Sequence, residues 1–144
     1  MSQFKLCAFA DEANDSLDGQ INARFLEIRN VDKKNVSELS AAEIANMRRR
    51  LDSEGIKVWS VGSPAGKIQI TDSFEPHLEL FKRLLEHANT LGAKAIRMFS
   101  FYNAQNEKDA VISALKKMTD YAEKENMILL HENEKDIYGD TAEK

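Results

Sequence analysis

Cysteine is almost missing from this chain. Cys7 stands alone among 144 residues, which excludes an internal disulfide framework and any multi-cysteine zinc site. A basic excess is missing too. Twenty Lys and Arg face 24 Asp and Glu, a net charge of −4, whereas a nucleic-acid-binding chain usually carries surplus positive charge. No apolar run approaches the roughly 18 residues of a membrane span. The N-terminus, MSQFKLCAF, has no basic region followed by a long apolar one, so no signal peptide is read and the expected compartment is cytoplasmic. Low-complexity segments, Pro/Gly-rich linkers and internal repeats are also absent. What is present is 42% hydrophobic and 31% charged, enough apolar material for a core and outside the composition of a disordered chain. At this length the chain reads as one domain, residues 1–144.

Short runs rich in β-branched and aromatic residues, Phe4–Ala10, Arg24–Arg29, Lys57–Gly62, Ala95–Phe101 and Met127–His131, read as strands. Helical patterns lie between the later ones. Ser40 with Glu43 forms a capping box ahead of Ile44, Met47 and Leu51, and Gly55 closes that helix. A second helix opens near Ser73 or Phe74, buries Leu78, Phe81, Leu85, Ala88 and Leu91, and ends at Gly92. A third runs from about Glu107 to Glu125, with Val111, Leu115, Met118 and Ala122 inward and Asn126 as terminator. Strand midpoints near 27, 60, 98 and 129 lie 33, 38 and 31 residues apart, the spacing of βαβ units in a parallel sheet. The first gap, from 8 to 27, is only 19 residues, so the first crossover helix, within Asp15–Ala23, is expected to be very short or missing. After the fifth strand, Asp140 or Thr141 reads as the N-cap of another helix at the very end of the sequence. The chain is therefore read as a fragment of a longer βα protein or a naturally truncated one, with a complete five-stranded domain and a loose tail as the plain alternative.

Parallel α/β folds bind ligands beyond the carboxyl ends of their strands. Those ends carry Asp11 and Glu12, Glu27 and Arg29, the loop GSPAGK (Gly62–Lys67), Arg97 with Ser100–Tyr102, and His131, Glu132 and Asn133. Alternation sets Leu26 and Ile28 opposite Phe25, Glu27 and Arg29, and Ile96 and Met98 opposite Arg97, Phe99 and Phe101. Charge on one face of a parallel strand has two explanations. That face lines a polar pocket, or it holds an internal ion pair such as Glu27 with Arg97 or Arg29. GSPAGK could bring backbone N–H groups and Lys67 to an anion, but it is not a Walker A loop, and a plain turn explains its composition. His77 and His87, about 280° apart on one helix, are no metal pair and are expected at the surface or its boundary. His131, out of phase with Glu132, is expected to face the helices, and Cys7 to be a buried small hydrophobe.

The blocks FADE (Phe9–Glu12), FLEIRNVDKKNV (Phe25–Val36), GSPAGK, IRMFSFY (Ile96–Tyr102) and HENEKDIYGDT (His131–Thr141), in this order, closely resemble the sugar phosphate isomerase/epimerase family of xylose isomerase-like TIM barrels. The resemblance implies an α/β fold: a partial (β/α)8 barrel holding about five parallel strands, three full crossover helices and a shortened first one, with strands six to eight absent. It further implies a divalent metal (Mn, Mg, Co or Zn) in the intact family member, with Glu132 as ligand and acid/base group. The other ligands belong to later strands, so this chain alone is not expected to hold the metal.

Two function classes follow. The first is a sugar or sugar-phosphate isomerase or epimerase moving a proton next to a carbonyl with metal assistance. Glu132 is its catalytic residue, with Glu27, Arg29, Lys67 and Arg97 binding substrate. The second is a catalytically incompetent partial barrel that binds a sugar or associates through its open sheet edges. An abasic-site endonuclease of the same superfamily is disfavoured by the acidic balance. A receiver domain is disfavoured by Gly62-Ser63 where an acceptor aspartate would stand. Neither nucleic acid nor membrane is an expected partner.

Overall fold

The computed structural model describes residues 7–9 and 24–141. β1 (Cys7–Phe9) and β2 (Phe25–Ile28) are followed by a small hairpin of β3 (Asn30–Val31) and β4 (Lys34–Asn35). A 3-10 turn, Val36–Glu38, leads into α1 (Ala41–Ser53), and then come β5 (Lys57–Gly62), α2 (Phe74–Leu91), β6 (Ala95–Met98), α3 (Lys108–Lys124) and β7 (Ile128–His131). Five strands form one sheet in the order β1-β2-β5-β6-β7, and every neighbouring pair is parallel. This is the expected α/β architecture, a partial TIM barrel with three helices. The first crossover, Asp15–Ala23, lies outside the described residues, as do Asp11, Glu12 and the residues after Thr141.

Local chemistry accounts for the element boundaries. The Ser40 hydroxyl accepts from the Glu43 N–H, while the Glu43 carboxylate accepts from the Ser40 N–H, so both orphan donors are satisfied at the start of α1. α2 ends on Gly92 in the left-handed region, φ 71°. The Arg48 guanidinium of α1 donates to the Leu91 carbonyl at 2.5 Å, fastening one helix end to its neighbour. The β3–β4 hairpin was not foreseen. Its turn residues, Asp32 and Lys33, both take positive φ, the geometry of a tight two-residue hairpin, but without the glycine that usually announces one.

The sheet has two unlike faces. Leu26, Ile28, Val58, Val61, Ile96 and Met98 are buried with the helices, against Ile44, Phe81, Leu85, Val111 and Met118. Val58 and Val61 are three residues apart yet both join that core. A register irregularity between Leu26 and Glu27 pairs Leu26 with Val58 but Glu27 with Ser60, leaving Trp59 as the extra residue. The other face is open: Trp59 is 42% exposed, Ile128 58% and Leu130 41%.

Several expectations need correction. β6 stops at Met98 rather than Phe101, because the chain leaves strand geometry and Phe101 adopts φ 70°. Cys7 is exposed, not buried, because it lies on the outermost strand of the sheet. His77 and His87 are buried, each 6% exposed, since α2 is covered over a wider arc than its aliphatic stripe. The Gly66 N–H donates to His77 Nε2 at 2.7 Å, and His87 Nδ1 lies 3.3 Å from the Val36 carbonyl. Burial pushes both imidazoles below the ordinary histidine pKa.

Candidate functional site at the strand ends

Three of the expected residues meet across three strands. Arg97 of β6 is the centre. Its Nε lies 3.0 Å from Glu132 Oε2, just past β7, and 3.9 Å from Glu27 Oε1 on β2. Its Nη1 donates to the Ser63 carbonyl at 3.2 Å, and its Cζ stands 4.6 Å from the centre of the Phe99 ring. Glu27 also accepts from the Ser60 hydroxyl at 2.6 Å. The contact between Glu27 and Arg97 passes over β5, the strand between them. It is possible because residue 62 is glycine: a Cβ there would lie 2.7 Å from Glu27 Oε1 and 3.0 Å from Arg97 Nη2. The ion-pair explanation is met. The pair is real, and Glu132 at its rim keeps 49% of its side chain exposed.

Lys67 and Arg29 flank this row, Arg29 with its Cβ beside the same Gly62 gap. Lys67 ion-pairs with Glu134 at 2.8 Å and lies 4.1 Å from the centre of the same Phe99 ring. One ring therefore faces two cations. Arg29 stacks on Phe9 at 5.2 Å. GSPAGK is a closed turn rather than an anion cradle. Ser63 N–H donates to Arg97 O, Ala65 N–H to Ser63 Oγ, Gly66 N–H to His77 and Lys67 N–H to Pro64 O, so its amides are already used. A groove of about 290 Å³ runs between the β3–β4 hairpin and α1, lined in part by Asp32, Lys34, Glu43 and Arg50. None of the strand-end residues reaches it.

His131 pairs with Met98, which places it on the helix side of the sheet, as alternation expects. It turns onto Ser100, with Nε2 2.9 Å from Ser100 Oγ. The Ser100 hydroxyl donates to the Tyr138 carbonyl, so the imidazole is the donor to Ser100. These contacts staple the segment after β7 to the end of β6. Tyr138 N–H to Phe101 O adds a second tie. Sequence reasoning placed Gly62, Phe99 and Ser100 at the strand ends without a role for any of them, and did not single out Ser60. Only Gly62, a glycine inside a strand, carried a recognisable signal of close approach.

A parallel barrel sheet with carboxylates and a half-buried arginine gathered at its strand ends defines a TIM-barrel type of site. The family model for the xylose isomerase-like TIM barrel matches residues 20–144. The chain belongs to that family. It is similar to the solved structure of IolI protein with a bound zinc atom, at 20% identity and TM-score 0.65 over 93% of this chain and 54% of that one. It is similar to a D-tagatose 3-epimerase-like protein at 16% identity and TM-score 0.70, over 97% and 58%. A xylose isomerase-like TIM barrel protein from Mycobacterium smegmatis in complex with magnesium matches at 17% identity and TM-score 0.63, over 92% and 56%. The chain thus spans little more than half the length of these structures. No curated protein sequence matches it significantly. Among the described residues no helix is long and apolar enough to cross a membrane.

Proposed function

We propose that this chain is the part of a sugar isomerase or epimerase that supplies the proton-transferring carboxylate, Glu132. The observation that carries this is the row Glu27–Arg97–Glu132 at the carboxyl ends of the strands, in a chain of the xylose isomerase-like family. Glu132 is accessible and lies at the rim, where a carboxylate can take a proton from the carbon next to a carbonyl and return it on the neighbouring carbon or the other face. Glu27, held by Ser60 and Arg97, fixes the charge balance beneath it. Arg29 and Lys67 flank the row and would meet polar or anionic groups of the sugar. Lys67 must first release Glu134 to bind a phosphate.

A divalent ion (Mn, Mg, Co or Zn) belongs to this proposal, but the described residues do not fit it alone. No group of three or more His, Cys, Asp or Glu converges among them, and a hard divalent ion takes about six mostly oxygen donors. Further donors would come from outside the described residues, in keeping with a fragment of a longer cytoplasmic enzyme. The test is proton exchange. The protein is incubated in D2O with a panel of free and phosphorylated ketoses, with each of the four ions in turn, and deuterium next to the carbonyl is followed by NMR. Exchange that falls roughly 10²–10⁴-fold in Glu132→Gln supports the reading. Exchange unaffected by that change overturns Glu132 as the base.

A second reading has its own support: the inner face bearing the exposed Phe9, Trp59, Ile128 and Leu130, and β1 and β7 as outermost strands among the described residues. Such a surface suits a binding or self-associating module. Sugar binding or concentration-dependent association without any exchange would favour it.

A further inference from the structure

Arg97 is surrounded by partners that do not depend on Glu132. The Ser63 carbonyl takes one Nη, the Phe99 ring supports the plane, and Glu27 stands behind Nε across the gap over Gly62. Only 13% of the Arg97 side chain is exposed. Glu132 is the reverse. It follows an edge strand, half its side chain faces solvent, and Arg97 is its one ion-pair partner among the described residues. The Arg97 Nε–H is not aligned into a hydrogen bond with it despite the 3.0 Å separation. The contact is therefore charge against charge, and it leaves the carboxylate oxygens open to a reacting proton.

We infer that Arg97 is a positioning residue. Its guanidinium plane is fixed from below, in a gap kept free by Gly62, and that plane sets where the Glu132 carboxylate stands. This departs from the expectation that Arg97 binds substrate directly, because three of its surroundings are already protein groups. Its functional meaning rests on Glu132 being the proton-transferring carboxylate; its geometry does not. The physical reason is order. A glutamate in water samples several rotamers, and a reacting group displaced by about 1 Å loses on the order of a hundredfold in rate. A guanidinium held by the Ser63 carbonyl and the Phe99 ring keeps its charge in one place, which a lysine ammonium on a flexible stem does not.

Two NMR readouts on the intact 144-residue protein test this without substrate. One is hydrogen exchange at Arg97 Nε–H, referenced to the exposed Arg83 of α2. The other is the amplitude of motion of the Glu132 side chain, referenced to the exposed Glu123 of α3. In the wild type, burial alone should make Arg97 Nε–H exchange about tenfold or more slowly than that of the exposed Arg83. Glu132→Gln should leave this protection within about twofold, since the arginine is held by other groups. Arg97→Gln should release Glu132 to the mobility of Glu123, and Arg97→Lys should not restore it. Gly62→Ala is the second variant. It keeps every charge and adds only a Cβ that must displace the ends of Glu27 and Arg97, so it too should loosen Glu132 while the remaining amide spectrum is retained. Glu132 equally ordered in Arg97→Gln or Gly62→Ala would overturn the inference. So would collapse of the Arg97 protection to the Arg83 rate in Glu132→Gln. Failure of the ketose exchange assay would instead overturn the function proposed above and leave these NMR results standing.

Discussion

Gly66 joins the loop after β5 to the segment after β6, and replacing it by alanine isolates what that junction is worth. Its φ is +87°, and a Cβ there would lie 2.0 Å from the Phe99 carbonyl oxygen and 2.5 Å from the carbonyl carbon. No side-chain rotation relieves a clash with backbone. The left-handed backbone itself costs an alanine about 1 kcal/mol. The loop must also move off Phe99, and three hydrogen bonds go with it: Phe99 N–H to Ala65 O at 2.8 Å, Phe101 N–H to Gly66 O at 2.9 Å, and Gly66 N–H to His77 at 2.7 Å. At about 1 kcal/mol net for each, Gly66→Ala should cost roughly 4 kcal/mol. Gly55 supplies the control. Its φ is +67°, but nothing lies within 4 Å of its Cβ position, so Gly55→Ala should cost only the backbone share, about 1 kcal/mol. Urea denaturation separates the two. With m near 1–3 kcal/mol per molar, the midpoints should differ by about 1–3 M. Equal midpoints would show that the junction yields without loss, and the reasoning from Cβ contacts would fail.

Other outcomes follow from the same contacts. His77, His87 and His131 all have folded pKa values lowered by burial. The unfolded chain therefore binds more protons, and stability should be full above about pH 6.5 and fall as the pH drops below it. His77→Gln, which keeps an acceptor for Gly66, should flatten part of that fall in pH-dependent urea curves. Ser40→Ala should cost about 1 kcal/mol through loss of the α1 cap. Its partner Glu43 is held down to about 2 by Lys34 and the Ser40 groups, so the cap should persist until the pH falls toward that value, as followed by helical circular dichroism. Arg48→Ala removes a charged donor from the Leu91 carbonyl and should destabilise by about 1.5–3 kcal/mol in the same urea assay.

Helices were legible where termini carry their own chemistry. Ser40 with Glu43 and Gly92 located α1 and α2 because caps are local interactions. Strand alternation separated Leu26 and Ile28 from Glu27, and it left Glu27 with Arg97 or Arg29 as candidate pairs, of which the first forms. It could not see the bulge at Trp59, which depends on pairing with β2 and moves Val61 to the helix side. Nor could it see that α2 would be covered widely enough to bury His77, or that His131 would reach Ser100. Those results come from neighbours distant in sequence. The hairpin escaped notice because Asp32 and Lys33 adopt positive φ without a glycine.

The sheet order β1-β2-β5-β6-β7 is also the order in which these strands leave the ribosome. Each strand pairs with the sheet strand synthesised just before it, so no early segment has to wait for a late one. Loop closure at each step spans one βα unit rather than the whole chain. Folding can thus advance during translation, one strand at a time, with the growing edge always formed by the newest strand.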